Sequence, residues 1–138
     1  MLRISTGARN AILDTGLNNA FDTSGRILIY SGAQPTTADT LPSGTLLCTI
    51  TLPADIFTVA ASGTISKQGT WSGTAATAGT AGYARLQLAA DLGTTNTTDK
   101  RIDGTVATTA ADFIIDNSTV VAGATITVST FSFTLPAQ

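Results

Sequence analysis

Nucleophile, base and metal-ligand chemistry depend on a few residue types, and this chain is short of them. It has nine Asp and no Glu, no His, one Cys and seven Lys or Arg. Hydrolysis through an activated Ser or Cys needs a general base, most often His. Without His, only Ser–Lys dyads on Lys67 or Lys100 remain, and neither lysine sits in a recognisable setting. Cys48 is in phase with apolar neighbours and reads as a buried structural thiol, since a reactive one needs an activating base. One Cys without His does not make a structural zinc site.

The carboxylates come in two close pairs. Asp99 and Asp103 flank Lys100-Arg101, and Asp112 and Asp116 flank a strand candidate. Positions i and i+4 of a strand share a face but lie roughly 13 Å apart, too far for a glycosidase pair. Both pairs read as solvated charges at strand ends. Asp91, Asn96 and Asp99 carry oxygens of the kind calcium takes, in a spacing that matches no calcium loop. The glycines of SGTAATAGTAG (72–82) have no Lys where a phosphate loop requires one. Trp71 beside that stretch is either a ligand platform or, more ordinarily, a residue packed into a core rim. The reading is therefore of a chain with no catalytic residues, no metal site and no cofactor.

The elements that position these residues are strands. Ile27, Leu28, Ile29 and Tyr30 form an unbroken apolar run, as expected of a strand covered on both faces. Leu46, Cys48, Ile50 and Leu52 then alternate with Thr45, Thr49 and Thr51, with Leu47 as the exception. Between the two runs lies a loop, 31–44, held by Pro35 and Pro42; loops this long are often contact surfaces. Pro53, Ala54 and Asp55 end the second run, and 56–62 read as a short strand or bridge. Thr64 to Trp71 alternates partly, with Ile65 inward. Residues 72–82 are either a flexible loop or a flat strand edge. Tyr83 to Ala90 places Ala84, Leu86 and Leu88 opposite Arg85 and Gln87. Residues 91–100 read as a solvated turn, followed by strand candidates 101–109 and 112–116.

In the last segment Ile126 and Val128 share one phase, while Phe131, Phe133 and Leu135 share the other. A one-residue slip flips every side chain, so a β-bulge near Ser129-Thr130 is required to restore one inward face. The only helix expected spans 5–20, capped by Ser5 or Thr6, with Ala8, Ala11, Ile12 and Thr15 on one face and Gly16 as its stop. The predicted fold is all-β: one domain over 1–138, an antiparallel sandwich or barrel of jelly-roll or other Greek-key type. Residues 1–21 form a helical segment or arm packed on the domain or on a neighbouring subunit.

Composition supports this class and excludes others. Thr occurs 27 times and Gly 13 times, a mixture of strand formers and turn formers. The cations are scattered, without the basic stripe that nucleic-acid binding wants. No apolar stretch approaches the ~20 residues of a membrane-spanning helix. The start, MLRISTGARN, lacks a secretory apolar segment, which points to folding in a cytoplasm. A surface of Thr, Ser and Ala fits a protein packed against copies of itself or a partner.

Several segments together resemble a family of short β-rich structural proteins of tailed bacteriophages. They are STGARNAILDTG near the start, IYSGAQP at 29–35, GTLL at 44–47, GTAGYARL at 79–86, RIDGTVATTAADF at 101–113 and the ending FTLPAQ. The resemblance runs nearly the whole length in the same order. It carries no catalytic residues to transfer. It implies a virion component made in the host cytoplasm, specifically a capsid decoration (cement) protein on the head surface. Its partners would be the major capsid protein and copies of itself in a symmetric oligomer, with no nucleic acid and no membrane. The alternative is a tail-, neck- or fibre-associated protein with an adhesion or glycan-binding role. The expected contact residues are Arg9, Gln34, Pro35, Leu41, Pro42, Trp71 and Thr77.

Overall fold

The computed structural model describes residues 1–8, 12 and 16–135. Along the chain run β1 (Arg3–Ile4), α1 (Leu17–Phe21), β2 (Gly25–Ser31), β3 (Leu46–Thr51), β4 (Thr64–Ser66), β5 (Ser72–Thr74), β6 (Gly79–Leu88), β7 (Arg101–Ala107), β8 (Phe113–Ile115), β9 (Thr119–Val120) and β10 (Thr125–Thr134). The main path is β3-β2-β6-β7-β8-β10-β4, with β1 paired to β7, β5 to β10 and β9 to β6. The sheet curls into a half-barrel, so the fold is all-β as expected. It is mixed, however: β7 and β8 run parallel. A five-residue connection suffices because only Val106-Ala107 and Phe113-Ile114 overlap, a sideways step rather than the full crossover that parallel strands usually need.

The inner face gathers the core. Ile27 and Ile29 of β2, Cys48 and Ile50 of β3, Ala84 and Leu86 of β6 and Ile102 of β7 are all buried there. Phe57, Trp71, Phe113 and Phe131 join them, with Phe113 stacked on Phe131 at 4.5 Å and Phe57 edge-on to Trp71 at 5.9 Å. Burying each such large side chain contributes about 1.5–3 kcal/mol. The bulge in the last strand is present. Pairing with β8 shifts between Val128 and Thr130, so Val128 and Phe131 are both buried. The Ser129 hydroxyl, at the extra residue, donates to the Ile114 carbonyl at 3.1 Å.

Three local expectations need correction. Leu47 is buried and Leu46 exposed, because a second irregularity opposite Ile29/Tyr30 skips Leu47. The freed Leu47 carbonyl accepts from the N–H groups of Ala76 and Thr77, tying β3 to the turn after β5. Leu135 continues the phase of Phe133 in sequence but is exposed beyond the end of β10. The N-terminal segment is not one helix. Met1 to Ile4 are extended and β1 pairs with β7. Ser5 does cap a helical turn at 6–8, its hydroxyl accepting from the Ala8 N–H at 3.1 Å. Gly16, with φ of 85°, is not helical, so the break falls at the expected stop and a separate helix, α1, follows it. Ala11 and Thr15 of the expected helical face lie outside the described residues. No helix among the described residues is long and apolar enough to cross a membrane.

Candidate functional site

Alternation along β6 and β7 sends a second set of side chains to the outer face. There Leu28 lies opposite Arg85 and Arg85 opposite Asp103; in the next rows Arg26 faces Gln87 and Tyr30 faces Tyr83. A strand pattern of polar residues opposite a core reads as solvent-facing. Here the reverse holds: Arg85, Gln87, Arg101 and Asp103 are fully buried, and Asp91 nearly so. The cover is made of two loops, 32–45 and 91–100, which meet through the Asn96 N–H and the Asp39 carbonyl at 3.0 Å.

Buried charge is stable only when paired and hydrogen-bonded. Arg85 grips Asp103 through two parallel bonds, Nε to Oδ1 at 2.7 Å and Nη2 to Oδ2 at 2.8 Å, while its Nη1 donates to the Thr40 carbonyl of the cover loop. Arg101 holds Asp91 in the same forked manner at 2.5 and 2.6 Å and also reaches Asp99 at 3.0 Å. Burial alone would push the Asp91 carboxyl up. Hydrogen bonds from the Arg101 guanidinium and the Gly93 N–H, with the charge of Arg101, outweigh burial and hold it below the usual carboxylate range. Hydrogen bonding to Asp91 raises the Arg101 guanidinium in turn, against its burial.

The cover loop is tied down along its length. Arg3 Nη1 donates to the Thr36 carbonyl. The Thr6 N–H and hydroxyl both donate to the Asp39 carboxylate, at 2.7 and 2.8 Å. The Tyr83 hydroxyl clamps Ser43, donating to its carbonyl and accepting from its N–H, both at 2.9 Å. Tyr83 stacks on Tyr30 with centroids 5.2 Å apart. Gly44 closes the loop at φ of 75°, where a Cβ would also run into the Ser31 backbone.

Of the oxygens considered for calcium, those of Asp91 and Asp99 are taken by the Arg101 guanidinium, and Asn96 Oδ1 accepts from the Thr98 N–H and hydroxyl and the Asp99 N–H. Asn96 Nδ2 donates to Asp99 at 2.6 Å. The 91–100 segment is exposed over much of its outer side, as a solvated turn would be, but on its inner side Asp91, Thr94 and Asp99 hold the buried Arg101. Asp112 is also engaged: it accepts from the Thr105 N–H and hydroxyl and pairs with the N-terminal amine. Among the described residues no group of three or more His, Cys, Asp or Glu could hold a metal. Cys48 is buried, and burial pushes its thiol up, away from the reactive thiolate.

Of the residues expected at a contact, Gln34, Pro35, Leu41 and Pro42 all lie on the cover loop, with Leu41 exposed and the others half-buried. Thr77 is exposed on the turn between β5 and β6. Trp71 is a correction. It is wholly buried, donates its Nε1–H to the Gln68 carbonyl at 3.0 Å, and cannot touch a partner or serve as a sugar platform. The other seven aromatics are buried too. Arg9 lies outside the described residues.

Leu41 and Pro42 border a recess of about 400 Å³ that the sequence did not disclose. Its far side is Leu92 and Gly93, its wall is Leu46 and its floor is Leu28, Tyr30, Arg26 and Gln87. A second, more apolar recess of about 480 Å³ lies among Leu17, Val59, Ile65, Phe133 and Leu135. No protein-family model, curated protein or solved structure gives a significant match to this chain.

Proposed function

We propose that this chain is a non-catalytic structural subunit of a tailed-phage virion, a capsid decoration protein that binds over the major capsid lattice. The observation that carries the reading is where the charge sits. Among the described charged residues only Asp55 and Asp116 are well exposed, while Leu41, Val59, Leu92, Val121 and Leu135 face outward. Ionic groups are used to pin the loops from beneath, which leaves an exterior of Thr, Ser, Ala and scattered aliphatics. Such an exterior loses little on desolvation, and a loop already fixed loses little entropy on docking. Many modest contacts repeated over a lattice sum to firm attachment.

The resemblance of the quoted segments to short phage structural proteins supplies the setting, with the major capsid protein and further copies of the chain as partners. Burial of all eight aromatics favours this packing role over a glycan platform. The test is reconstitution of phage heads with and without the purified chain. Saturable uptake by heads and raised resistance to heat are expected. Heads that neither bind the chain nor change in heat resistance would overturn the reading.

A further inference from the structure

Four arginines point to the outer face of the sheet, and they are not equally served. Arg85 and Arg101 each hold an aspartate in a forked pair. Arg3 lies under the cover loop, outside the recess. Arg26 borders the recess and donates Nη2 only to the Asp91 carbonyl at 2.8 Å. It has no carboxylate within ion-pair distance among the described residues, and its buried Nε has no partner. Directly across from it, Gln87 is 1 % exposed; its Nε2 donates to the Asp91 carbonyl, and its Oε1 is left without a donor. An unmet donor and an unmet acceptor thus lie side by side at the floor of one recess. Buried polar atoms are rarely left so. Above them the rim is apolar, with Leu92 88 % exposed, Leu41 58 % and Leu46 39 %.

We propose that this recess receives a carboxylate-bearing apolar peptide segment of a partner subunit. The carboxylate meets the Arg26 guanidinium, a peptide N–H donates to Gln87 Oε1, and an aliphatic side chain lies among Leu41, Leu46 and Leu92. A guanidinium prefers a carboxylate to a carbonyl, since the charge-assisted pair is shorter and roughly twice as strong. Asp91 is already neutralised by Arg101, so it does not repel the incoming charge. Both unmet atoms are closed off from solvent as the side chains stand, so the occupant reaches them as Arg26 and Gln87 rotate toward the opening. The proposal rests on the packing role above and names the chemistry of one contact.

The full chain, labelled with ¹⁵N, is titrated with N-acetyl-Leu-Leu, its C-terminal carboxamide, and N-acetyl-Leu-Asp carboxamide. Either acid should shift the Arg26 Nε–H and Gln87 amide signals saturably, with a dissociation constant on the order of 1 mM for so small a probe. The neutral carboxamide should bind about tenfold more weakly or worse, a loss that R26Q should reproduce for the acids. L92S, at an exposed position that does not bear on folding, should weaken binding as well. The stronger of the two acids tells a chain-end carboxylate from a side-chain one. Equal binding of acid and carboxamide, unsaturable shifts, or indifference to R26Q would overturn the proposal. Heads that take up wild-type and R26Q chains equally would remove the recess from the interface while leaving the decoration role intact. Peptide binding without uptake by heads would do the reverse.

Discussion

Asp103 belongs to one of the two forked ion pairs buried beneath the cover loops. Both of its oxygens are taken by Arg85, and both residues are fully buried. Removing one partner leaves an uncompensated charge, so Asp103→Ala should cost about 3–5 kcal/mol in urea unfolding. Replacing both, as in Arg85→Leu with Asp103→Leu, should restore much of that loss, because a well-packed apolar pair avoids the desolvation cost. A double variant no more stable than Asp103→Ala would show that the pair's geometry itself is needed to seat Thr40. Asp91 makes a pH prediction. Its folded-state carboxyl is held below the usual range, so as pH falls the unfolded chain takes up the proton first. The stability it supplies is present above the unfolded value near 4 and drains as pH drops through the lower folded value. Unfolding free energy measured from pH 7 to 2 should fall in that acid window, and Asp91→Asn should flatten the fall while lowering the neutral plateau. Tyr30 and Tyr83 act at the other end. Burial raises both phenols, so their contribution is lost as pH rises above about 10.

At the scale of elements, the two irregular strand pairings decide which side chains face the core. Ser129 is the extra residue, so deleting it places Ile126, Val128, Phe131 and Phe133 in one unbroken alternation. Pairing with β8 should become regular with both phenylalanines still inward, and the deletion should cost well under the about 3–6 kcal/mol of expelling two large side chains. A loss of that size in urea unfolding would show that the bulge itself, and not only the inward phase, is needed. Gly104 offers a narrower test, since a Cβ there would meet Asp112 Cβ at 2.7 Å and the Phe113 ring at 2.8 Å. Gly104→Ala should cost about 1–3 kcal/mol by overpacking the step between β7 and β8, read by the same denaturation. The bulge at Ser129 was legible because two in-phase pairs one residue out of step admit one repair. The irregularity at Leu47 was not, since the run Leu46-Leu47-Cys48 satisfies either phase and only the β2 partner selects between them. Ser5 could be read as a cap. The extended Met1–Ile4 segment could not, because two residues of strand leave no periodicity.

For the whole molecule, the apolar run 27–30 announced a cover on both faces of the sheet. What covers the outer face was hidden. A second sheet would have shown as further alternation, whereas the cover consists of two polar loops held by side chains from beneath. Arg85, Gln87, Arg101 and Asp103 read as solvent-facing for the same reason. Strand alternation states which face a residue is on and leaves open whether that face is wet. The recess beside Arg26 follows from this arrangement, since it forms where the two loops meet over the sheet. A molecule built this way buries two ion pairs beneath its loops and, among the described residues, leaves only Asp55 and Asp116 as well-exposed charged side chains.

The most direct measurement of the decoration role is the position and number of copies of the chain in the particle, by cryo-electron microscopy. Decoration predicts density over the capsid lattice at about one copy per capsid subunit, repeated with the shell symmetry. Density confined to the tail, roughly a dozen copies or fewer, or a chain absent from particles altogether, would contradict it.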